Sequence, residues 1–340
     1  MRSIDGRAGG GQLVRTAVSL AAVTGEAFAM TGVRGARETP GLKSQHVAAI
    51  DLVASVADAR TEGVAVGSES FVFRPGDVSG GTYEAHVGTA GSLTLVFDTV
   101  LPLAVAADTD VVATVTGGTD VKWSPPLEYF RSVKLPTVVD AGFDASVTLD
   151  RRGFFPAGNG QATLTMSPCT PRPIHRERRG DLASLAVHSV ASTSLEPQSV
   201  ADRQADAAVA ALREDTGVPI DRVVEYVPAD DEGSALVVVA RYEHSVTGFA
   251  ALGEPGKRSE AVAADAVADY RSFAATDAAV DAHMADQLVP YLALAGGAVR
   301  IPAVTDHVES ATDLVGAFEM TVEIAERGGP VLRSAGYAGP

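Results

Sequence analysis

Two histidines and a carboxylate fall close together in DAHMADQLVPYLALAGGAVRIPAVTDHVESATDL, Asp281 to Leu314. Apolar residues at Met284, Leu288, Tyr291 and Leu292 have the three-and-four spacing of a helix with one face inward, predicted over Ala278 to Gly296. His283, Asp286 and Gln287 share a single turn of it. Gly296-Gly297 ends that helix, AVRIP reads as a short strand, and Thr305-Asp306 offers an N-cap for a second helix over Val308 to Phe318. His307 then stands where unpaired backbone N–H groups attract anions, so phosphate beside it is physically reasonable. The other reading leaves His307 as a capping-region residue and Asp286 as a solvated helix charge.

Further candidates lie near the start of the chain. MRSIDGRAGGGQLVR reads as a strand, a glycine-rich turn and a helix from Gln12 to about Thr24, with Arg15 one turn in. The spacing is neither that of a dinucleotide-binding turn nor that of a P-loop. Either the glycines let backbone amides approach a phosphate, or the turn is an ordinary strand-to-helix connection. The following strand leads into a connection with Arg34, Arg37 and Lys43, then a helix carrying Gln45 and His46. Guanidinium forks match phosphate oxygens, so an anionic substrate is one reading and solvated loop charges the other. Trp123 and Tyr129 could stack on a base or simply pack. His175, His188 and His244 show no metal-ligand spacing.

The scaffold for these residues has 340 positions, 46% of them hydrophobic, enough for a large core and two domains. No apolar run reaches the roughly 18 residues of a membrane span. Met1 leads into a strand-like segment without a signal-peptide pattern, so a cytoplasmic protein with no membrane partner is expected. Cys169 is the only cysteine, which excludes an internal disulfide and a thiolate metal cluster. A net charge of −16 argues at first sight against nucleic acid. Lysines, however, occur only at 43, 122, 134 and 257, while Asp, Glu and Ala are abundant. That composition suits solubility in concentrated salt and says little about the ligand.

In chain order, strand, helix, strand, helix and two strands recur as a structural unit without a repeated sequence motif. A long apolar helix is predicted over Ser92 to Ala106, and the Pro- and Arg-rich stretch 168 to 180 reads as a crossing between domains. Beyond it two helices and several strands make a compact unit. The first-half pattern resumes after that unit, which is therefore read as an insertion. The expected division is a large domain of 1–177 and 276–340 and a small inserted α+β domain of 178–275.

Taken together, IDG followed by GGGQLVRTAVSL, VRGARETPGLKSQH, FRPG, GTAGSLTLVFDTVLPLA, GGTDVKWSPP, RRGFFPAGNG, HMADQLVP and the His307 segment resemble the RNA 3′-terminal phosphate cyclase family, in order and spacing over nearly the whole chain. The resemblance implies an α+β fold of three β-α-β-α-β-β units, like that of the enolpyruvyl transferases, with a small domain inserted in the third. It implies an ATP-dependent ligase-type reaction closing RNA 3′-phosphate ends to 2′,3′-cyclic phosphodiesters, with Mg or Mn as the divalent metal. By the same resemblance His307 takes AMP from ATP. His283, Met284, Ala285, Asp286 and Gln287 hold the nucleotide, as does Asp98, which stands where a Gln is common. Arg15, Arg34, Arg37 and Gln45 match positions that meet phosphates.

This chain also departs from the family. A Glu usual in the first glycine-rich turn is missing from Arg7-Ala8-Gly9-Gly10-Gly11, which is shortened, and Ala311 replaces an Asn usual after the histidine. Two other classes share the fold: a non-catalytic cyclase-like protein of ribosome and rRNA processing, expected to lack the nucleophile, and an enolpyruvyl transferase, which neither the length nor the HMADQ run suits.

Overall fold

The computed structural model describes residues 1–337. Its first unit runs β1 (Arg2–Asp5), α1 (Gly11–Thr24), β2 (Phe28–Thr31), α2 (Ser44–Val56), β3 (Arg60–Glu62) and β4 (Ser70–Arg74). The second runs β5 (Gly81–His86), α3 (Leu93–Val100), β6 (Val111–Gly117), α4 (Leu127–Tyr129), α5 (Leu135–Asp140), β7 (Ala145–Arg151) and β8 (Gly160–Met166). The third begins with β9 (Ile174–Arg176). It is then interrupted by β10 (Leu182–Ser192), α6 (Val200–Asp215), β11 (Ile220–Val227), β12 (Ser234–Tyr242), β13 (Val246–Leu252) and α7 (Ser259–Ala274). It resumes with α8 (Ala282–Gln287), α9 (Val289–Ala295), β14 (Gly297–Arg300), α10 (Asp306–Gly316), β15 (Glu323–Glu326) and β16 (Pro330–Ser334).

The sheet orders are β1-β2-β4-β3, β5-β6-β8-β7 and β9-β14-β16-β15, so each unit has the same topology. In each, the first two strands are parallel and the remaining pairs antiparallel. A parallel pair needs a crossover, and the helix between those strands supplies it. Strands β6 and β8 alternate buried and half-buried residues along their whole length, the period expected when one sheet face meets the core. Helices of different units meet in that core: α1 packs on α10 and α3, and α2 on α3.

The fourth sheet, ordered β11-β10-β12-β13, carries α6 and α7 and has a core of its own around Leu212, Leu236 and Phe273. Its other face meets the body through Ala186, Val237 and Val239. With both faces covered, β12 reads SALVVVA and is buried without alternation.

Two expected helices are each divided, and a proline accounts for both breaks. The segment predicted as one helix over Ala278 to Gly296 is α8 and α9, with the break at Leu288. Pro290 has no N–H to donate to the Asp286 carbonyl. The segment Ser92 to Ala106 is α-helical only to Val100 and continues as a 3₁₀ turn over Leu101–Val105, which contains Pro102. Among the described residues no helix is long and apolar enough to cross a membrane.

Candidate active site

The break after α8 builds one wall of a cleft. The carbonyl that Pro290 leaves free on Asp286 accepts a 3.3 Å hydrogen bond from the Gln12 side-chain amide, from the first turn of α1. The next carbonyl, Gln287, accepts from Lys134 Nζ at 3.1 Å. The start of α8 is fixed as firmly. Asp281 caps it, its Oδ1 accepting from the backbone N–H groups of His283 and Met284 and from Tyr129 Oη at 2.7 Å. Its Oδ2 accepts from Gly248 N on β13, where a side chain would strike the Tyr129 ring. A helix of six residues is too short to hold itself in water. Its cap, Gln12 and Lys134 therefore set where Asp286 and Gln287 project.

Gln12, Arg15, Asp98, Asp286, Gln287 and Pro290 line the cleft. Arg15 is half-buried; desolvation pulls its pKa down, and the carboxylates of Asp98 and Asp286 oppose that pull. Burial raises the Asp286 pKa, countered by His307, Lys134, His283 and Arg15, so these groups share one field. Among the described residues Gln12 Oε1 is buried without a partner, an unused acceptor on a residue that lines the cleft. Lys134 is wholly buried. Its Nζ lies 2.8 Å from Asp98 Oδ1, and the Tyr291 ring sits 4.6 Å beneath it. It ends a π-helical turn, Phe130–Lys134, ahead of Pro136.

The cleft opens toward the start of α1. Gly10 caps that helix in an extended conformation and makes no side-chain cap bond. A Cβ built on Gly10 would sit 3.2 Å from Arg37 Nη2 and 3.8 Å from His307 Cε1, so the guanidinium and the imidazole meet over this one glycine. His307 is exposed on the first turn of α10, whose N-cap Thr305 accepts from Val308 N at 3.3 Å, as the sequence leads one to expect. Arg37 is exposed, and among the described residues its side chain has no ion pair. Two helix starts, a histidine and an arginine thus converge at one place, an arrangement that suits a bound anion.

The other residues singled out in the sequence divide into those that face the site and those that support it. Arg34 lies at φ 54 and spends Nη1 on the carbonyls of Thr39 and Gly41, bracing its own loop beside Arg37. Gln45 Oε1 accepts from Ser92 N at 3.1 Å and ties α2 to the 88–91 loop. Met284 and Ala285 are buried in the core and do not line the cleft; in so short a helix they face inward and anchor the turn that carries Asp286 and Gln287. His283 is exposed, edge-on to Tyr129 at 6.4 Å. Ala311 is fully buried on the inner face of α10, which accounts for a small apolar residue there.

Three residues of the site were not singled out from the sequence as candidates: Gln12, Lys134 and, as a structural support, His46. The signal for Lys134 was its apolar setting, VKLP, in a chain with four lysines. His46 is buried against Gly11, where any Cβ would sit 2.0 Å from its Nε2, and its Nδ1 accepts from Lys43 N at 3.0 Å. Burial, reinforced by Arg15, Arg34 and Lys43, pushes its pKa down to about 3.

No protein metal cage surrounds His307. The glycine turn offers no carboxylate, Asp5 is engaged by Arg7 at 2.8 Å, and among the described residues no three His, Cys, Asp or Glu side chains group as ligands.

A thrice-repeated α+β unit with a histidine and arginines gathered at helix starts describes a class of enzyme that works on phosphate groups. Comparison with known proteins narrows the class. Residues 7–324 match the family profile described as RNA 3′-terminal phosphate cyclase. A Halobacterium salinarum protein named RNA 3'-terminal phosphate cyclase is 49% identical over 335 residues, covering 95% of this chain and 96% of the relative. Proteins of the same name from Archaeoglobus fulgidus and Nitrosospira multiformis are 38% identical, over 94% of this chain and 95% of the relative, and 40% identical, over 87% and 85%. The chain belongs to the RNA 3′-terminal phosphate cyclase family.

Proposed function

We propose that this protein closes the 3′-phosphate of an RNA end to a 2′,3′-cyclic phosphodiester at the expense of ATP, with His307 as the nucleophile. The meeting of His307 and Arg37 over Gly10, at the uncapped start of α1, carries the reading. A neutral imidazole nitrogen attacks the α-phosphorus of ATP, and the bond to the bridging oxygen breaks to release pyrophosphate. Charge that builds on the leaving group is met by Arg37 and by the α1 amides. An oxygen of the RNA 3′-phosphate then attacks the AMP phosphorus, freeing the histidine and joining RNA to AMP through a pyrophosphate. The 2′-hydroxyl next attacks the 3′-phosphorus, AMP departs with the electron pair, and the hydroxyl proton passes to solvent. Intramolecular proximity makes that last step easy.

Arg15, Asp98, Asp286 and Gln287, with the support of His283, Met284 and Ala285, form the nucleotide side; Arg34 braces the loop that presents Arg37, and Gln45 holds the 88–91 loop beside it. A divalent ion accompanying ATP reaches this site on the nucleotide phosphates, because Mg²⁺ binds by one or two carboxylates plus phosphate and water. The same reading takes 178–275 as an inserted domain on a body of 1–177 and 276–340, supported by its separate core, and places the protein in the cytoplasm.

α-Labelled ATP tests the first step: wild-type protein retains acid-labile AMP, and His307→Ala retains none. Short oligonucleotides test the rest. RNA with a 3′-phosphate is cyclised, a 3′-hydroxyl end is left untouched, and a DNA 3′-phosphate accumulates as the adenylylated end because it lacks the 2′-hydroxyl. Labelling of His307→Ala at the wild-type level, or turnover of 3′-hydroxyl ends, overturns the reading.

A further inference from the structure

We infer that Trp123 and Phe155 form a stacking platform for the bases that precede the 3′-terminal phosphate of the RNA, an inference that rests on the function proposed above. Trp123 is 95% exposed and Phe155 is 72% exposed, in a protein whose other large aromatic side chains lie against the core or nearly so. An indole left in water forgoes the burial that stabilises a large ring in the core. Its backbone is held at φ 62, a conformation that bulky residues seldom adopt and that must be imposed by surroundings. The surroundings are specific. Ser124 Oγ donates to the Val121 carbonyl at 2.9 Å, Lys122 pairs with Glu254 at 3.1 Å, and Thr94 Oγ1 donates to the Pro125 carbonyl at 2.9 Å. The fold thus presents Trp123 rather than tucking it away.

The two aromatic residues project from neighbouring loops at one end of the β5-β6-β8-β7 sheet. Thr119 N donates to the Gly153 carbonyl at 2.9 Å, and Gly153 N donates to Thr119 Oγ1 at 3.0 Å. Both loops pack on the GTAG turn, 88–91. Gly118 N donates to the Gly91 carbonyl at 2.8 Å, and a Cβ on Gly158 would come within 2.8 Å of Ala90 Cα. The same turn is tied through Ser92 to Gln45 on α2, next to His46, which seats Gly11 at the start of α1. The loops that carry the two rings therefore join, through the 88–91 turn, the same framework of α2 and α1 that positions the His307–Arg37 site.

Single-stranded bases suit that surface on physical grounds. Every base has a π-face, so stacking tolerates any sequence. It also does not depend on a basic groove, which a chain of net charge −16 does not have to spare, and it survives salt that weakens phosphate contacts. The adenine of ATP belongs instead to the cleft around Asp98 and Asp286.

Trp123 is the only tryptophan, so its emission reports on this surface alone. In the full-length protein at high salt, 3′-phosphorylated RNA of three or six nucleotides should quench it and ATP should not. Trp123→Ala and Phe155→Ala should each raise KM for the hexanucleotide roughly tenfold, the size of one base stack. KM for a nucleoside 3′-phosphate and the extent of AMP labelling should stay as in wild type, and Trp123→Phe should restore most of the loss. Hexanucleotide cyclised without quenching, equal losses on the one-nucleotide substrate, or quenching by ATP alone would overturn the platform while leaving the reaction standing. RNA that quenches Trp123 but is never cyclised would keep the platform and remove the reaction.

Discussion

Lys134 Nζ lies 2.8 Å from Asp98 Oδ1 with no part of the lysine side chain exposed, so the cleft lined by Gln12, Arg15 and Asp286 is braced by an ion pair beneath its wall. Tyr291 Oη donates to the same carboxylate oxygen at 3.1 Å, and Lys134 also reaches the Gln287 carbonyl. Asp98 is therefore also the counter-charge that holds the lysine under Gln287. Burial lowers the lysine pKa and Asp98 opposes it, so the pair belongs together or not at all.

Removing one partner should accordingly cost more than removing both. Lys134→Met leaves Asp98 without its cation and should destabilise the fold by about 3–5 kcal/mol. Lys134→Met with Asp98→Asn should recover much of that loss. Urea unfolding of the two singles and the double gives the coupling energy directly, and additive effects would show that the pair is incidental.

Gly10→Ala probes the spacing of the nucleophile. Gly10 lies at φ −91, which alanine adopts freely, so the fold should be kept. The new methyl would press on Arg37 Nη2 and His307 Cε1. Displacements of about 1 Å can cost on the order of 100-fold in an aligned reaction, so AMP labelling should slow by roughly 10- to 100-fold. An unchanged labelling rate with unchanged thermal unfolding would argue that the two side chains work elsewhere.

His46 should make stability depend on acid. Its folded pKa is held down at about 3 against an ordinary value of 6.5, so between those values the unfolded chain binds the extra proton and the folded one does not. The contribution is whole above pH 6.5 and fades as pH falls toward 3, reaching about 2 kcal/mol of loss at pH 5. His46→Asn keeps an acceptor for the Lys43 amide without the titration. Denaturant curves of the two proteins should converge as the medium is acidified, and parallel pH profiles would refute the assignment.

The acidic, lysine-poor surface should require molar salt for folding, and activity should be greatest there. Net charge −16 repels itself in dilute buffer, whereas screening at 1 M falls to about 3 Å. Circular dichroism and cyclisation assayed from dilute buffer to several molar KCl should rise together. Full activity in dilute buffer would mean that the composition does not reflect the medium.

Hydrophobic period and capping chemistry are local, so the sequence alone determined the recurring order of strands and helices and the place of His307 just inside a helix that Thr305 caps. Arg15 and Arg37 also stood out as cations beside a glycine-rich turn and in a connection, whereas Asp286 and Gln287 gained a role only from the resemblance to the cyclase family. Tertiary structure alone decided which of them meet. The approach of Arg37 and His307 over Gly10 joins three segments far apart in the chain, and no local pattern encodes that distance. The same holds for Lys134, which reads as a solvated lysine until Asp98 and the Gln287 carbonyl are brought to it by packing. Pro290 announces a break in its helix from the sequence, but only the folded chain supplies Gln12 to the carbonyl that the break releases. A buried polar group is stable only with its partner, and partners distant in sequence exist only once the core has closed.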